Sequence, residues 1–360
     1  MYRVHATASA IDARAQAIAL EQSIESPIEA VTDARVLDEI LARVVKIVPA
    51  PESAFDVTIQ LAAETTGFEA GQLLNILFGN TSLQDDVTLV DVKFPPTFGA
   101  RFGGPRFGIN GIREITGVHG RALTCSALKP QGLEPAQLAE IARTFARAGI
   151  DVIKDDHGLA NQATAPFAAR VREVQRAVDE ANRESGGSCV YAPSLSGHYV
   201  QMQEQVAQAR ACGVRMFLIA PMVSGVAALT ALARDAGAPI IAHPAMAGST
   251  RIASPLLLGK LFRLFGADAT IFPNAGGRFS YTPDICAGIV DAARRPWHGV
   301  APMLPVPAGG MSVERVPEMR ARFGDDTMLL IGGSLLTAGA QLFARCREFV
   351  AAVDGRGANR

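Results

Sequence analysis

GRALTCSALKPQGLEPAQLAEIARTFARAGIDVIKDDHGL, residues 120–159, carries the chain's repeating unit once and begins it a second time. ALTCSALK (122–129) is apolar at consecutive positions, as a strand buried on both faces would be, and it is followed by a Pro/Gly bend. PAQLAEIARTFARAG (135–149) then has helical spacing with Gln, Glu and Arg on its exposed face, and IDVIKDD (150–156) is the next strand. Toward the C-terminus the unit recurs at CVYAPSL (189–195), RMFLIAPM (215–222), PIIAHPA (239–245), ATIFPN (269–274), MLPVPAGG (303–310) and TMLLIGGS (327–334). Eight strand–helix units predict an α/β fold closed as a (β/α)8 TIM barrel, with an open doubly wound sheet as the alternative. Toward the N-terminus the pattern changes. ARVLDEILARVV (34–45) predicts a helix, FDVTIQLA (55–62) a strand and FEAGQLLNILFG (68–79) a helix, which make a small α+β N-terminal domain over 1–115 ahead of a barrel domain over 116–360. KFPPTFGARFGGPRFGING (93–111) reads as an irregular junction packed against both domains.

Composition narrows the class. The 360 residues are 49% hydrophobic and 19% charged, and 34 Lys+Arg nearly cancel 35 Asp+Glu. Neither disorder nor a nucleic-acid partner suits that balance. The five cysteines show no metal-site or disulfide spacing, which suggests reduced thiols in a cytoplasmic protein. No apolar stretch reaches the roughly 20 residues of a membrane span, so no membrane partner is expected.

In a barrel of this kind the active site forms at the C-terminal ends of the strands. Those ends carry Lys129-Pro130-Gln131, Lys154-Asp155-Asp156-His157, His198, His243, Asn274, Gly309-Gly310 and Gly332-Gly333-Ser334. Taken singly, each has an ordinary reading as a solvated charge, a core histidine or a tight turn. Together, so many charged groups at one mouth call for a function, because uncompensated charge is expensive to bury. The glycine pairs offer bare N–H groups to a phosphate. Period two puts Lys154 and Asp156 on one side of their strand; a carboxylate beside a histidine suits a divalent ion, and the lysine is either a base or a modified ligand.

These motifs resemble the large-chain family of ribulose-bisphosphate carboxylase/oxygenase, specifically its non-carboxylating RuBisCO-like members. GRALTCSALKPQGL resembles the family's Lys-Pro-Lys strand-one signature, and GIDVIKDDHGLANQ resembles its Lys-Asp-Asp-Glu metal motif. Further likenesses are Glu21 in ALEQSIE, Asn80 in LFGN, His243, Arg278 in NAGGRF, GGMSVERVPEMRARFGDD and IGGS, so that the resemblance covers nearly the whole chain. It implies a magnesium-dependent enoliser in which Lys154 bears a carbamate and holds the metal with Asp156 and His157. Lys129 would transfer the proton with His243 assisting, and Arg278 would take the place of the family's mobile-loop lysine. Gln131 and Gly309, Gly310, Gly332 and Gly333 would bind substrate and phosphate. Glu21 and Asn80 would reach the mouth of a partner subunit, making a homodimer the minimal unit.

The departures from the family pattern identify the branch. His157 stands where the carboxylases have glutamate, which leaves another divalent ion open in place of Mg2+. Gln131 replaces the second lysine of the strand-one motif, and Pro244 and Phe272 fall where a second phosphate would be gripped. Carbon dioxide fixation is therefore not expected, and one phosphate site remains. Pro244, Met246, Phe272 and Pro273 would offer an apolar surface to a methylthio group. The resemblance points first to a 5-methylthioribulose-1-phosphate isomerase of methionine salvage acting on a sugar phosphate. A decarboxylase of a 3-oxo sugar-acid phosphate, a diketo-methylthiopentyl phosphate enolase, and a catalytically silent binding or regulatory barrel are the alternatives. Retention of Lys129, Lys154 and Asp156 together argues against the last.

Overall fold

The computed structural model describes residues 1–355; the last five residues of the expected barrel domain lie outside it. Strands β1 (Tyr2–His5), β2 (Arg43–Ala50), β3 (Ala54–Gln60) and β4 (Val87–Leu89) come first, paired antiparallel in the order β2-β3-β1-β4. Helix Ala70–Phe78 sets Leu73 and Leu77 into the same apolar cluster as Tyr2 and Val57, and the Tyr2 hydroxyl donates to Leu77 O at 2.7 Å. β3 and this helix agree with the sequence reading. The helix expected over 34–45 forms only in its first part, over 34–40, and Arg43–Ala50 pairs along β3 as an edge strand. Val44, Val45, Ile47 and Val48 are stiff at χ1 and suit an extended chain, so pairing with β3 outweighs the helical periodicity there.

The junction is also more regular than its composition suggests. Helices Pro96–Phe102 and Gly108–Thr116 occupy it. Phe94, Phe98 and Phe102 line up with ring centroids 4.9 and 5.9 Å apart, and Phe102 meets Phe265 of the barrel domain at 5.8 Å. Ile109 and Ile112 of the second helix belong to the barrel's interior cluster and close its floor.

Eight parallel strands follow: β5 (Leu123–Leu128), β6 (Val152–Asp155), β7 (Val190–Ala192), β8 (Phe217–Ile219), β9 (Ile240–Ala242), β10 (Ala269–Pro273), β11 (Leu304–Ala308) and β12 (Met328–Leu330). They pair as β12-β5-β6-β7 and β8-β9-β10-β11. The two ladders meet where Leu218 N donates to Pro193 O at 2.9 Å and Leu195 N to Leu218 O at 2.8 Å, and β11 packs beside β12. Alternation fixes the two layers. Leu123, Cys125, Val152, Ile241, Ile271, Val306 and Leu330 fill the interior, while Ile153, Tyr191 and Phe272 face the surrounding helices. The fold is therefore the expected barrel behind an α+β unit. Among the described residues no helix is long and apolar enough to cross a membrane.

Hydrogen bonds fasten the N-terminal sheet to the barrel's mouth. In the loop after β9, Leu89 N donates to Arg251 O and Ala253 N to Leu89 O, each at 2.9 Å. The Arg251 guanidinium donates to the carbonyls of Ser82, Gln84 and Val87, and Lys260 pairs with Asp91.

Candidate active site

Strand β6 divides its polar residues between two environments. Val152 and Lys154 point inward; Ile153 and Asp155 point toward the helices. Asp155 is fully buried and accepts from Arg170 Nε at 3.0 Å, Tyr191 Oη at 2.7 Å and Ser194 N at 3.0 Å. It ties β6 to β7 and to helix Phe167–Ser185, which is structural work. Lys154 is buried as well, and its amine donates to Asp155 O at 2.8 Å. Burial holds that amine below the ordinary lysine range.

Asp156 sits one residue beyond the strand, with Lys129 Nζ 3.0 Å from its Oδ1 and His157 Nδ1 at 3.5 Å. Burial alone would raise its pKa; hydrogen bonding to His157 and Lys129, with the charge on Lys154, instead holds it well below the usual carboxylate range. The His157 ring stacks on that of His243, with centroids 4.1 Å apart and planes 12° from parallel. His243 Nδ1 accepts from Ala245 N at 3.1 Å. Burial, and then the charge of Lys154, lowers the His243 pKa to about 2, so its ring is neutral and carries its proton on Nε2.

Lys129, Lys154, Asp156, His157, His243, Arg278, Gly309, Gly310, Gly332 and Gly333 all line one cavity of about 740 Å³ at the C-terminal ends of the strands. Gly309 and Gly310 have φ of 71° and 69°, and a Cβ on Gly310 would collide with Gly277, so the β10 and β11 loops require glycine there. Gly332 and Gly333 are different: a Cβ on either meets nothing within 4 Å. Three expected residues lie outside the cavity. Gln131 is exposed in the loop after Pro130, its amide against Gly158. Asn80 Nδ2 donates to Glu21 Oε1 at 2.9 Å and to Glu25 Oε1 at 2.7 Å, in the N-terminal domain and away from this chain's own mouth.

The apolar surface needs one correction. Pro244, Met246 and Pro273 line the cavity, but Phe272 points outward and meets Phe323 edge-on at 6.0 Å; by strand alternation Ile271 takes its place. Phe279, Tyr281 and Met311 also line the cavity and were not read from the sequence. Their signal was weak: the first two follow the NAGG turn and Met311 follows the β11 glycines, in loops where apolar residues form no periodic pattern.

Among the described residues no three His, Cys, Asp or Glu side chains converge to hold a metal ion. Asp156 and His157 supply an oxygen and a nitrogen at the mouth that Lys154 also lines, and burial lowers the Lys154 pKa, the direction that a reaction of its amine with carbon dioxide would need. A carbamate there would complete a set of two anionic oxygens and an imidazole, which fits a divalent cation.

Known proteins share this architecture. Residues 108–340 match the family model of the ribulose bisphosphate carboxylase large chain, catalytic domain. The chain is 53% identical over 356 residues to a 5-methylthioribulose-1-phosphate isomerase of Rhodospirillum rubrum, covering 98% of this chain and 95% of that one. It is 34% identical over 307 residues to a 2,3-diketo-5-methylthiopentyl-1-phosphate enolase of Geobacillus kaustophilus, covering 82% and 74%. The crystal structure of a Rubisco-like protein from Rhodopseudomonas palustris superimposes with a TM-score of 0.93 at 47% identity, covering 100% of this chain and 98% of that one. With its barrel, its mouth and its full-length relatives in agreement, this chain belongs to the ribulose bisphosphate carboxylase large-chain family, in the RuBisCO-like branch.

Proposed function

We propose that the chain is a metal-dependent 5-methylthioribulose-1-phosphate isomerase. The observation that carries the reading is the facing of two unlike halves across one cavity. Lys129, Lys154, Asp156, His157 and His243 form a proton-handling cluster on one side, and open glycine backbone lies on the other. The full-length likeness to the isomerase of Rhodospirillum rubrum supports the choice of substrate.

Gly332 and Gly333, with Gly309 and Gly310, would hold the single phosphate through backbone N–H groups. Lys154 as a carbamate, Asp156 and His157 would hold a divalent ion, Mg2+ being the family's expected one. When bound, such an ion polarises the ketone and makes the neighbouring C–H acidic. Lys129 would remove that proton, giving an enediol, and a proton returned to the former carbonyl carbon would complete the shift of the carbonyl along the chain with no change in composition. His243, neutral and protonated on Nε2, is set to donate a hydrogen bond to a substrate oxygen rather than to act as the base. Arg278 on the loop after β10 would bind the substrate from above. Glu21 and Asn80, held together outside their own mouth, would complete the site of a partner in a homodimer.

The test is NMR of 5-methylthioribulose 1-phosphate in deuterium oxide with the protein and Mg2+. Solvent deuterium should enter the substrate and a positional isomer should accumulate, with no labelled carbon dioxide entering ribulose bisphosphate. Preincubation with bicarbonate and the metal should raise the rate, and Lys154→Ala should abolish it. Full activity in bicarbonate-free buffer would remove the carbamate from the scheme, and an absence of exchange would remove the isomerase.

A further inference from the structure

Among the described residues, Met246 is the one non-glycine residue lining this cavity whose backbone lies in the left-handed region, at φ 65° and ψ −2°. Gly, Asn or Asp would adopt that conformation at less cost than an unbranched apolar residue. Nor does the side chain repay the strain by packing, since it is 58% exposed. The loop imposes the conformation from both ends. Ala245 N donates to His243 Nδ1 at 3.1 Å, Ala247 N to Pro244 O at 3.0 Å, and Ser249 bonds Met246 O through its N at 3.1 Å and its Oγ at 2.6 Å. Beyond these, Arg251 and Ile252 are bound to the N-terminal sheet through Ser82, Gln84, Val87 and Leu89. A strained residue held this firmly and aimed into a cavity is characteristic of a ligand contact.

Its position in the barrel says which part of a ligand it meets. Met246 follows β9, three strands around the barrel from β12, whose end carries Gly332 and Gly333. A ketose phosphate anchored at those glycines would have its far carbon to place elsewhere in the same cavity, and the β9 loop lines that cavity beyond the Lys129–Asp156 pair. The loop there, Pro244-Ala-Met-Ala-Gly-Ser-Thr250, has no charged side chain, and Ile271 and Pro273 continue the surface on β10. A flexible, polarisable thioether suits a small apolar end and offers a hydroxyl only a weak acceptor.

We infer that Met246 is a specificity-determining residue that receives the methylthio end of the substrate, an inference that rests on the isomerase reading above. It selects against the same ketose phosphate bearing a hydroxyl at that carbon.

The experiment compares kcat/KM for 5-methylthioribulose 1-phosphate and for ribulose 1-phosphate in wild type, Met246→Gly and Met246→Leu. Glycine is the informative replacement because it fits the left-handed backbone, so the thermal midpoint should stay at or above that of wild type. The preference for the methylthio substrate should fall roughly 10- to 100-fold, through KM for that substrate, with ribulose 1-phosphate little changed. Leucine should restore most of the preference. A Met246→Gly protein that keeps the wild-type preference overturns the inference while leaving the isomerase reading intact, as does one that slows both substrates equally. A Met246→Gly protein that keeps the preference but loses its oligomeric state on size exclusion would assign the side chain to a subunit interface instead. Wild type that turns over both substrates without preference overturns the inference alone, and wild type that turns over neither overturns the isomerase reading and the inference with it.

Discussion

Asp155 faces the helix layer and Asp156 the barrel mouth, and the two sides of this one strand end treat a carboxylate in opposite ways. Asp155 and Arg170 are both completely buried, and three donors reach the Asp155 carboxylate. Asp156 keeps partial access to the cavity and meets Lys129 and His157, two groups that can change partners when a ligand enters. A sealed ion pair fixes geometry; an accessible one is available for chemistry. Removing the partner of a buried charge is the more damaging change, so Asp155→Ala should lower the unfolding free energy by about 3–5 kcal/mol by stranding Arg170. Asp156→Ala should change it by only about 1 kcal/mol while abolishing deuterium exchange into the substrate. Urea unfolding of both variants beside the exchange assay gives the four values. Equal stability losses would erase the distinction between the two faces.

Lys129 sharpens the contrast, because its amine is what Asp156 meets in the accessible pair. As the base, Lys129→Met should reduce exchange by roughly 10²- to 10⁴-fold and leave substrate binding nearly unchanged. As a clamp that only holds substrate, its loss would raise KM and spare exchange at saturation. Calorimetric binding measured beside the exchange rate separates the two, and normal exchange in Lys129→Met would transfer the proton-moving role to another group of the mouth.

The division of β6 was legible in the sequence because it depends on period two alone: once IDVIKDD is a strand, Lys154 and Asp156 share a side. The barrel was legible for the same kind of reason, since runs such as RMFLIAPM and PIIAHPA are short, apolar and regularly followed by helical stretches. Readings that depended on tertiary competition failed. The periodicity of 34–45 is helical, yet Val44 to Val48 pair with β3; Gly and Pro in 93–111 suggested irregularity, yet the Phe94–Phe98–Phe102 series packs them into helices. At the site, Phe272 faces the helices because Ile271 holds the inward register of β10, and Phe279 and Tyr281 reach the mouth only because their loop folds back over β11, with the Phe279 ring against Gly309. Gln131, beside Lys129 in sequence, turns away from the mouth because the chain has already left the strand.

The glycines extend the comparison to uncharged positions. Gly310 is required by its backbone and by its contact with Gly277, whereas Gly333 has open space before it. Gly333→Asp should therefore fold normally and weaken a phosphorylated substrate about tenfold or more, by adding a carboxylate to a surface that offers N–H groups to an anion. Gly310→Ala should lower the thermal midpoint as well. Differential scanning fluorimetry and competition by inorganic phosphate distinguish these outcomes. Unchanged phosphate affinity in Gly333→Asp would remove the glycine side from the binding site.

The smallest expected effect belongs to a third carboxylate, more exposed than either of the two at β6. Asp86 receives Arg14 in a two-pronged pair, Nε to Oδ2 at 2.7 Å and Nη2 to Oδ1 at 2.9 Å, with both side chains about a quarter exposed. The Arg14 hydrogen bonds, against an opposing burial effect, lower the Asp86 pKa from its ordinary value. A carboxyl group whose pKa is lower folded than unfolded stabilises the fold wherever it is ionised in both states, and loses that contribution as pH falls through the folded value. Asp86→Asn should thus cost about 1 kcal/mol at neutral pH, because solvent screens the pair. The gap from wild type should hold steady down to about pH 5 and narrow below about pH 4, where the unfolded carboxyl takes up its proton first. Paired urea unfolding curves across that range measure it. A gap that widens toward acid would mean that Asp86 is stabilised in its neutral form, as a sealed carboxyl without a cation would be, and the gradation from buried pair to accessible pair would then fail at its mildest member.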